Sequence, residues 1–408
     1  MESTGISFEQ AVRVGCGIDV HQAVIVATIS KGQENYETKE FSAFTSSLTD
    51  LREWCKRAGV THVAMESTGV YWKPVFNILE EDFEIILVNA RHVKNVPGHK
   101  TDKKDSKWIS KLLLAGLLKG SFIPPRDIRE LRDLVRYKKK QIAHVSSEKN
   151  RMIKILEDAN IKISSVLSDV HGASGSKIIH DIIDGKTDVD ELIKHIHGKV
   201  KASREDIRKA LEGRLTAHHR FMLKIIRKSI EEKEGIIKEL EDQIDVATAQ
   251  YAVEVELLQT IDGVGKDSAI GIISEIGVNM EQFPNEHHLS SWSGMSPGNN
   301  ESAGKKKSTR AIKGNKYLKS LLVECGWGAT RKKDGYLKRK YKSLVARRGK
   351  KKALVAVGHK IIIAAYHVLK KKEKYKEPPL HNSEERNKKQ IAKHLAQLKA
   401  LGYDLIAA

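Results

Sequence analysis

The side chains best suited to chemistry begin with acids in the first quarter of the chain. Asp19 closes an apolar run in GIDVH, Glu66 closes another in AMESTG, and Asp102 and Asp105 stand three apart in KTDKKDSKW. Strand ends hold side chains reproducibly beside one another, and a three-residue step at a helix start puts two acids on one face near the N-terminus. Placed this way, the four carboxylates can converge. Such a cluster suits two Mg²⁺ ions, because hard cations take oxygen ligands and paired metals stabilise the attacking and leaving oxygens of a phosphodiester displacement. Each acid alone is more often a cap or a surface charge. The ordered set is more specific than its parts.

A second group lies far downstream. In GMSPGNNESAGKKKSTRAIKGN, the first residues introduce a flexible loop, and Lys305, Lys306, Lys307, Arg310 and Lys313 crowd around Ser302. Cations there suit an approaching phosphate. A serine in a Gly-rich loop is ordinarily a turn residue, and it needs activation before it attacks phosphorus. Upstream, TIDGVGKDSA has a Gly-x-Gly turn opening an apolar helix. Its helix-start amides and Lys266 would seat a backbone phosphate, as in a helix-hairpin-helix, and a purely structural turn explains it equally. Beyond lie TRKKDGYLKRKYKSLVARRGKKK and HVLKKKEKYK, which mix Arg347, Arg348 and many lysines with Tyr336, Tyr341 and Tyr375. Lysine and arginine neutralise phosphates and tyrosine rings stack on unpaired bases; a solvated basic helix is the plainer alternative.

These groups need elements to position them. Residues 14–30 hold two runs rich in Val and Ile, the pattern of a strand pair, and a third strand follows in 35–42. Ser46–Arg57 has helical spacing, Thr61–Met65 is a strand ending at Glu66, Val75–Leu79 is helical and Glu84–Val88 is again a strand. This order predicts an α/β layout with a mixed sheet. Past Pro124-Pro125, Leu131, Leu134, Lys138, Ile142, Val145, Lys149, Met152 and Leu156 recur at steps of three and four, and Leu223, Ile226, Ile230, Ile237, Leu240 and Ile244 repeat the rhythm. Two long helices follow, pairing as antiparallel arms around a polar insert. The seam serves either a bundle core within one subunit or an oligomerisation arm. From Leu257 to Leu369 the chain reads as helical with Gly-rich punctuation, and Gln390–Leu401 as one more helix.

At 408 residues the chain exceeds what one core usually organises. The expected divisions are an α/β domain over 1–125, a helical coiled-coil arm region with its insert over 126–255, a small helical C-terminal catalytic domain over 256–376, and a tail over 377–408. Lys and Arg number 72 against 52 Asp and Glu, so the net charge is +20. Such a surface favours polyanions, chiefly nucleic acid. No uninterrupted apolar run approaches the roughly 18 residues of a spanning helix, and MESTGISFEQ lacks the charge and apolar pattern of a signal peptide. A cytoplasmic, nucleoid-associated protein is expected. Cys16, Cys55 and Cys325 are odd in number and never paired as C-x-x-C, which argues against a disulfide framework or a zinc ribbon and makes them small buried hydrophobes. The pairs His218-His219 and His287-His288 lack metal-ligand spacing.

GIDVH, MESTGVYW and KTDKKDSKW, in that order, resemble the RuvC-like DEDD domain of the insertion-sequence one-hundred-and-ten transposase family, which includes Piv-type invertases. The resemblance extends over almost the whole chain. It implies an RNase H-like (RuvC-like) sheet presenting Asp19, Glu66, Asp102 and Asp105 to Mg²⁺, with Thr68, Gly69, Tyr71 and Trp72 supporting the pocket. The stretch from Gly294 to Gly314-Asn315 is similar to the family's C-terminal transposase domain, whose loop serine is the nucleophile, and Ser302 occupies the matching place. Family members commonly carry Ser-Gly where this chain has Ser302-Ala303-Gly304, so Ser308 stays as a rival. The resemblance further implies recombination between element ends and a target and a structured bridge RNA that selects both DNA partners by pairing; the two apolar seams, with two DNA partners to be held together, lead to the expectation of a dimer or tetramer. Two other classes compete: a metal-only nuclease of the Holliday-junction resolvase kind, which needs the acids and no serine, and a non-catalytic nucleic-acid-binding assembly protein.

Overall fold

The structure, a computed structural model, describes residues 11–32, 35–67, 69–88, 102–197, 200–298, 300–302, 305–308, 311, 313–378 and 383–400. The chain forms two compact units, Met1–Ile123 and Pro124–Ala408.

In the first unit β1 (Gly15–Val20), β2 (Val24–Ser30) and β3 (Tyr36–Ser42) follow one another through short connections, which allow only antiparallel hairpins. Helix α1 (Thr45–Arg57) then carries the chain across to β4 (His62–Glu66), and α2 (Trp72–Leu79) carries it to β5 (Glu84–Val88), both parallel to β1. The sheet order is β3-β2-β1-β4-β5. The strands and the first two helices fall where apolar alternation and helical spacing put them.

One face of the sheet presents Cys16, Ile18, Val20, Ile25, Val63 and Met65 to Leu48, Leu51 and Trp54 of α1 and to Val75, Phe76 and Leu79 of α2. The other face takes α3 (Asp102–Leu114), with Ile109 and Leu113 buried against Ala64 and Val88. Burial on both faces is why β1 has no polar alternation. It is also why β1 carries glycines at 15 and 17. A Cβ on Gly17 would lie 2.2 Å from the Ser106 carbonyl oxygen and 2.3 Å from the Ser110 nitrogen. The helix backbone therefore rests directly on the strand. A buried 2.8 Å hydrogen bond between Thr28 and Ser106 hydroxyls fixes α3 against β2 as well.

In the second unit α4 (Arg126–Asp158) is followed by the short helices α5 (Ile163–Val166), α6 (Ala173–Ile183), α7 (Val189–Ile193) and α8 (Arg204–Leu211), then by α9 (Ala217–Thr248). Helices α4 and α9 pack antiparallel along the expected seam. Lys138 pairs with Glu241 at 2.9 Å, Lys149 with Glu234 at 3.2 Å and Asp158 with His219 at 2.9 Å. Leu131, Val145, Met152 and Leu156 are buried on one helix and Leu223, Ile226, Ile230 and Ile244 on the other. Seam positions 138 and 149 thus serve as charged rims, and Ile142 is 45% exposed. The connecting segment is more than a polar insert. Its Ile163, Ile178, Ile182, Leu192, Ile207 and Leu211 join the hairpin's own core.

The remainder comprises α10 (Ala252–Gln259), α11 (Lys266–Ile276), α12 (Glu286–Trp292), a β-hairpin of β6 (Asn300–Ser302) and β7 (Lys305–Ser308), then α13 (Lys316–Ala329), α14 (Tyr336–Arg348), α15 (Lys350–Lys371) and α16 (Ser383–Ala400). The hairpin is a departure from an all-helical C-terminal region. Helix α15 is long and apolar enough by composition to cross a membrane. Its Val357, Ile361, Ile362 and Ala365 are instead buried among α12, α13 and α14, so core packing accounts for its apolarity. All three cysteines are buried and free.

Replacing Gly17 by alanine sets a methyl group against helix backbone that has no rotamer with which to yield. We expect Gly17→Ala to cost on the order of 1–3 kcal/mol or more. Gly120→Ala, whose Cβ would meet nothing nearer than 3.5 Å, is the control. Urea unfolding of both variants followed by circular dichroism checks this, and equal stabilities would show that α3 does not rest on β1.

Candidate active site and nucleic-acid interface

The close approach of α3 to β1 decides where the acids stand. Gly15 lies under Leu113 and Leu114, and Gly17 under Ser106 and Ser110, so the helix runs opposite to the strand. Two strand residues advance about 6.6 Å, roughly four helix residues. Asp19, next on that face, is therefore level with the first turn of α3, where Asp102 and Asp105 lie. Ala64 of β4 also faces α3, which puts Glu66, two residues on, on the same side. The parallel register pairs Ile18 with Met65, so Asp19 and Glu66 are one step further along adjacent strands. The fold thus brings Asp19, Glu66 and the helix turn of Asp102 and Asp105 to one end of one sheet face.

The Asp19 side chain is 11% exposed, and its carboxylate accepts a 3.0 Å hydrogen bond from Nε2 of His21, which is 60% exposed. His21 follows in the same GIDVH motif and was not singled out from the sequence, since one histidine on a strand end carries no spacing signal. Trp72 opens α2 and packs edge-on against Phe76 with ring centroids 5.6 Å apart, Gly69 adopts a φ of 55°, and Tyr71 is exposed. Thr68 lies outside the described residues. Among the described residues no group of three or more His, Cys, Asp or Glu side chains is close enough to hold a metal. The side chain of Asp102 is not among them.

The serine segment is more ordered than a flexible loop. Ser302 ends β6 and pairs with Lys305, the first residue of β7, at the tip of the hairpin, whereas Ser308 pairs with Asn300 toward its base. Lys305, Lys306 and Lys307 are all on β7. Pro297 and Ala311 form an antiparallel bridge below the hairpin. Lower still, Asn315 N–H donates to the Trp292 carbonyl at 3.2 Å, and a Cβ on Gly314 would lie 2.3 Å from the Gly294 nitrogen. Two backbones in contact leave no room for any side chain at 314.

Asn315 also caps α13, accepting from the amides of Tyr317 and Leu318, while its Nδ2 donates to Glu275 Oε2 at 2.6 Å. Glu275, in the last turn of α11, is almost completely buried, with a side chain 4% exposed. Arg136 meets it with two parallel hydrogen bonds of 2.8 Å and lies 4.2 Å over the Tyr317 ring. Arg132 donates to the carbonyls of Ser274 and Glu275 at 3.1 and 2.7 Å. Burial pushes the Arg132 guanidinium down to about 10, with the Glu275 charge opposing that shift, so it stays protonated at neutral pH. These residues went unremarked in the sequence because nothing local joins positions 136, 275 and 315.

The remaining basic candidates are scattered. Lys266 opens α11 and is held 2.8 Å from Asp245. In the preceding turn Gly263, with φ 83°, is required by packing, since its Cβ would overlap the Cys325 carbonyl oxygen at 2.2 Å. Lys313 precedes α13 and is exposed, as are Arg347 and Arg348 in the last turn of α14. Arg310 is outside the described residues.

A family model for a transposase, of the DEDD IS110 type, matches residues 16–161. A second, described as Transposase IS116/IS110/IS902 family, matches residues 255–342. Together they account for more than half of the chain. The chain belongs to the IS110 transposase family. No curated protein matches it. The transposase is thus a DNA recombinase, and Asp19, Glu66, Asp102 and Asp105 lie in the first matched region and the hairpin that carries Ser302 in the second. Its DEDD domain implies a divalent metal, and the sheet end offers the carboxylates of Asp19 and Glu66, oxygen donors of the kind hard cations prefer, with His21 hydrogen-bonded to the first of them.

Glu275 in the transposase cannot lose its partners cheaply. Glu275→Ala leaves two guanidiniums facing a cavity and is expected to destabilise the second unit by about 3–5 kcal/mol. Asn315→Ala, which removes one cap and one bond to the carboxylate, should cost about 1–2 kcal/mol. Denaturant titrations of the full chain measure both, and a Glu275 variant as stable as the parent would remove the network from the account of the fold.

Proposed function

We propose that the first unit is an RNase H-like domain of the RuvC type and that the transposase joins DNA through a serine. The observation that carries this reading is the convergence of Asp19, Glu66 and the first turn of α3 at one end of the sheet. The strand order, three antiparallel strands followed by two parallel ones, supports it. Asp19, Glu66, Asp102 and Asp105 would hold Mg²⁺, which supplies charge stabilisation at the phosphate. His21 orients the Asp19 carboxylate through its hydrogen bond.

Ser302 is the nucleophile. Its hydroxyl oxygen forms a bond to phosphorus, the bond from phosphorus to the 3′ oxygen breaks, and the serine proton ends on the released 3′-hydroxyl. The phosphodiester energy is kept in the phosphoserine link, so the reverse attack rejoins strands without an external energy source. Placement at a hairpin tip supports this role, because a tip enters a DNA groove more readily than a helix-bound side chain. Lys305, Lys306 and Lys307 on the facing strand, together with Lys266, Arg310, Lys313, Arg347 and Arg348, would neutralise phosphates of the element, of the target and of a structured bridge RNA. The transposase would work as a dimer or tetramer, since two DNA partners must be held together.

Alanine at Asp19, Glu66, Asp102 or Asp105 is expected to abolish strand cleavage, assayed on supercoiled element DNA, without lowering the melting temperature, because removing one acid from a repelling cluster does not unfold it. Added Mg²⁺ should raise the melting temperature of the parent and not of these variants.

A nicked suicide substrate should leave a nucleotide phosphodiester-linked to Ser302, found by mass spectrometry of the modified peptide. An adduct on Ser308 moves the assignment from the tip of the hairpin toward its base. Cleavage with no adduct on any serine replaces the recombinase mechanism with metal-only hydrolysis.

A further inference from the structure

Beside α15 lies a cleft of about 280 Å³. Ile363, Ala364 and Val368 form its floor, Tyr336 at the first position of α14 one wall, and residues 373–378 the other. The last of these is turned back along the helix by Lys372, a non-glycine residue in the left-handed conformation at φ 53° and ψ 38°. It is pinned there. Tyr375 N–H donates to Thr260 Oγ1 at 2.8 Å, and Glu377 Oε2 accepts from Tyr336 N–H at 3.2 Å and from Arg339 at 3.4 Å. The walls are thus held by bonds to two other elements, and the cleft is formed before anything enters it.

Its chemistry is specific. Two phenols and an apolar stretch line it, and its charged and polar lining comprises Lys360, Lys371, Lys374, the Lys376–Glu373 pair and His367. Lys376 is paired with Glu373 at 3.0 Å, whereas no ion pair engages the other three lysines among the described residues. Burial, with the negative Glu377 and Asp262 nearby, pushes the Tyr375 phenol up to about 12, so at neutral pH it is a hydrogen-bond donor. A planar heteroaromatic group joined to an anion matches this surface. The volume is just below the roughly 300 Å³ at which small-ligand sites begin, which admits one base with its sugar and excludes a duplex.

We propose that this cleft binds one unstacked nucleotide of a single-stranded nucleic-acid segment, with the base against Tyr336 and Tyr375 and the phosphate on Lys360, Lys371 and Lys374. The inference rests on the transposase handling nucleic acid. It adds a site for unpaired strand, which recombination exposes and which duplex-binding surfaces do not retain. Stacking on tyrosine is tolerant of base identity, so the site holds strand without selecting sequence.

Full-length protein is irradiated with single-stranded DNA, single-stranded RNA or duplex DNA carrying 5-iodouracil, and the cross-linked peptides are mapped. Cross-links on Tyr336 or Tyr375 with a single strand, and not with duplex, are expected. The DNA and RNA arms identify which strand the site prefers. Tyr375→Ala should weaken binding of a single-stranded oligonucleotide about tenfold and leave duplex binding unchanged, Tyr375→Phe should retain most of it, and Tyr137→Ala, an exposed tyrosine outside the cleft, should match the parent. Lys371→Gln should lower the salt dependence of single-strand binding by about one phosphate contact. Cross-links confined to other residues, or equal losses for single strand and duplex, overturn the proposal. Serine-adduct formation, read in the same preparations, separates failure of this site from failure of the recombinase reading.

Discussion

A carboxylate buried to 4% exposure must be matched by charge and hydrogen bonds or the fold around it fails, and Glu275 imposes that condition on the second unit. It is met from two directions. Arg132 and Arg136 come from α4, and Asn315 comes from the cap of α13. One acid therefore fixes the long hairpin, its own helix α11, and the residue from which the serine segment returns. Apolar packing alone would hold these elements together while letting them slide. The bidentate Arg136 pair and the Asn315 bond specify one register.

The two chemical groups are mounted alike. Each is a short polar feature on a frame whose own packing is complete. At the sheet end, glycines at 15 and 17 let α3 rest on β1, and the acids follow from that spacing. At the hairpin, Gly294 and Gly314 allow two backbones to touch, and the strands project from that junction. In both places the absence of a side chain, rather than the presence of one, sets the geometry. In the roles proposed for the acids and for Ser302, such a rigid support would lessen the reorganisation needed when substrate arrives.

What the sequence reveals follows from how far apart the cooperating residues are. The strands around Asp19 and Glu66 are legible because a buried sheet requires unbroken Val and Ile, and the α4–α9 seam because its apolar residues repeat every three to four positions. Asp105 is placed by its three-residue distance from Asp102 on α3. The hairpin at Ser302 is invisible, since a run of lysines has no strand-like alternation and its pairing depends on a stem closed by Gly314. Glu275 is equally silent: its partners are 139 and 40 residues away in sequence. Lys372, on which the tyrosine cleft turns, has no local signature, because a left-handed residue closing a helix is usually glycine or asparagine and a lysine there does not announce the turn.

Helix α4 spans 33 residues, about 50 Å at 1.5 Å per residue. Its arginines sit near one end, and the apolar insert closes the other. Such a rod is a lever with a fixed fulcrum. A tilt of about 5° at Arg132 and Arg136 sweeps the far end through about 3 Å over the roughly 36 Å beyond them, so small changes in how the guanidiniums seat are magnified into the position of whatever the tip touches. Because the insert is satisfied by the last turns of the hairpin alone, it can be lengthened, shortened or exchanged without disturbing the fulcrum, which makes the tip the part of this chain freest to diverge.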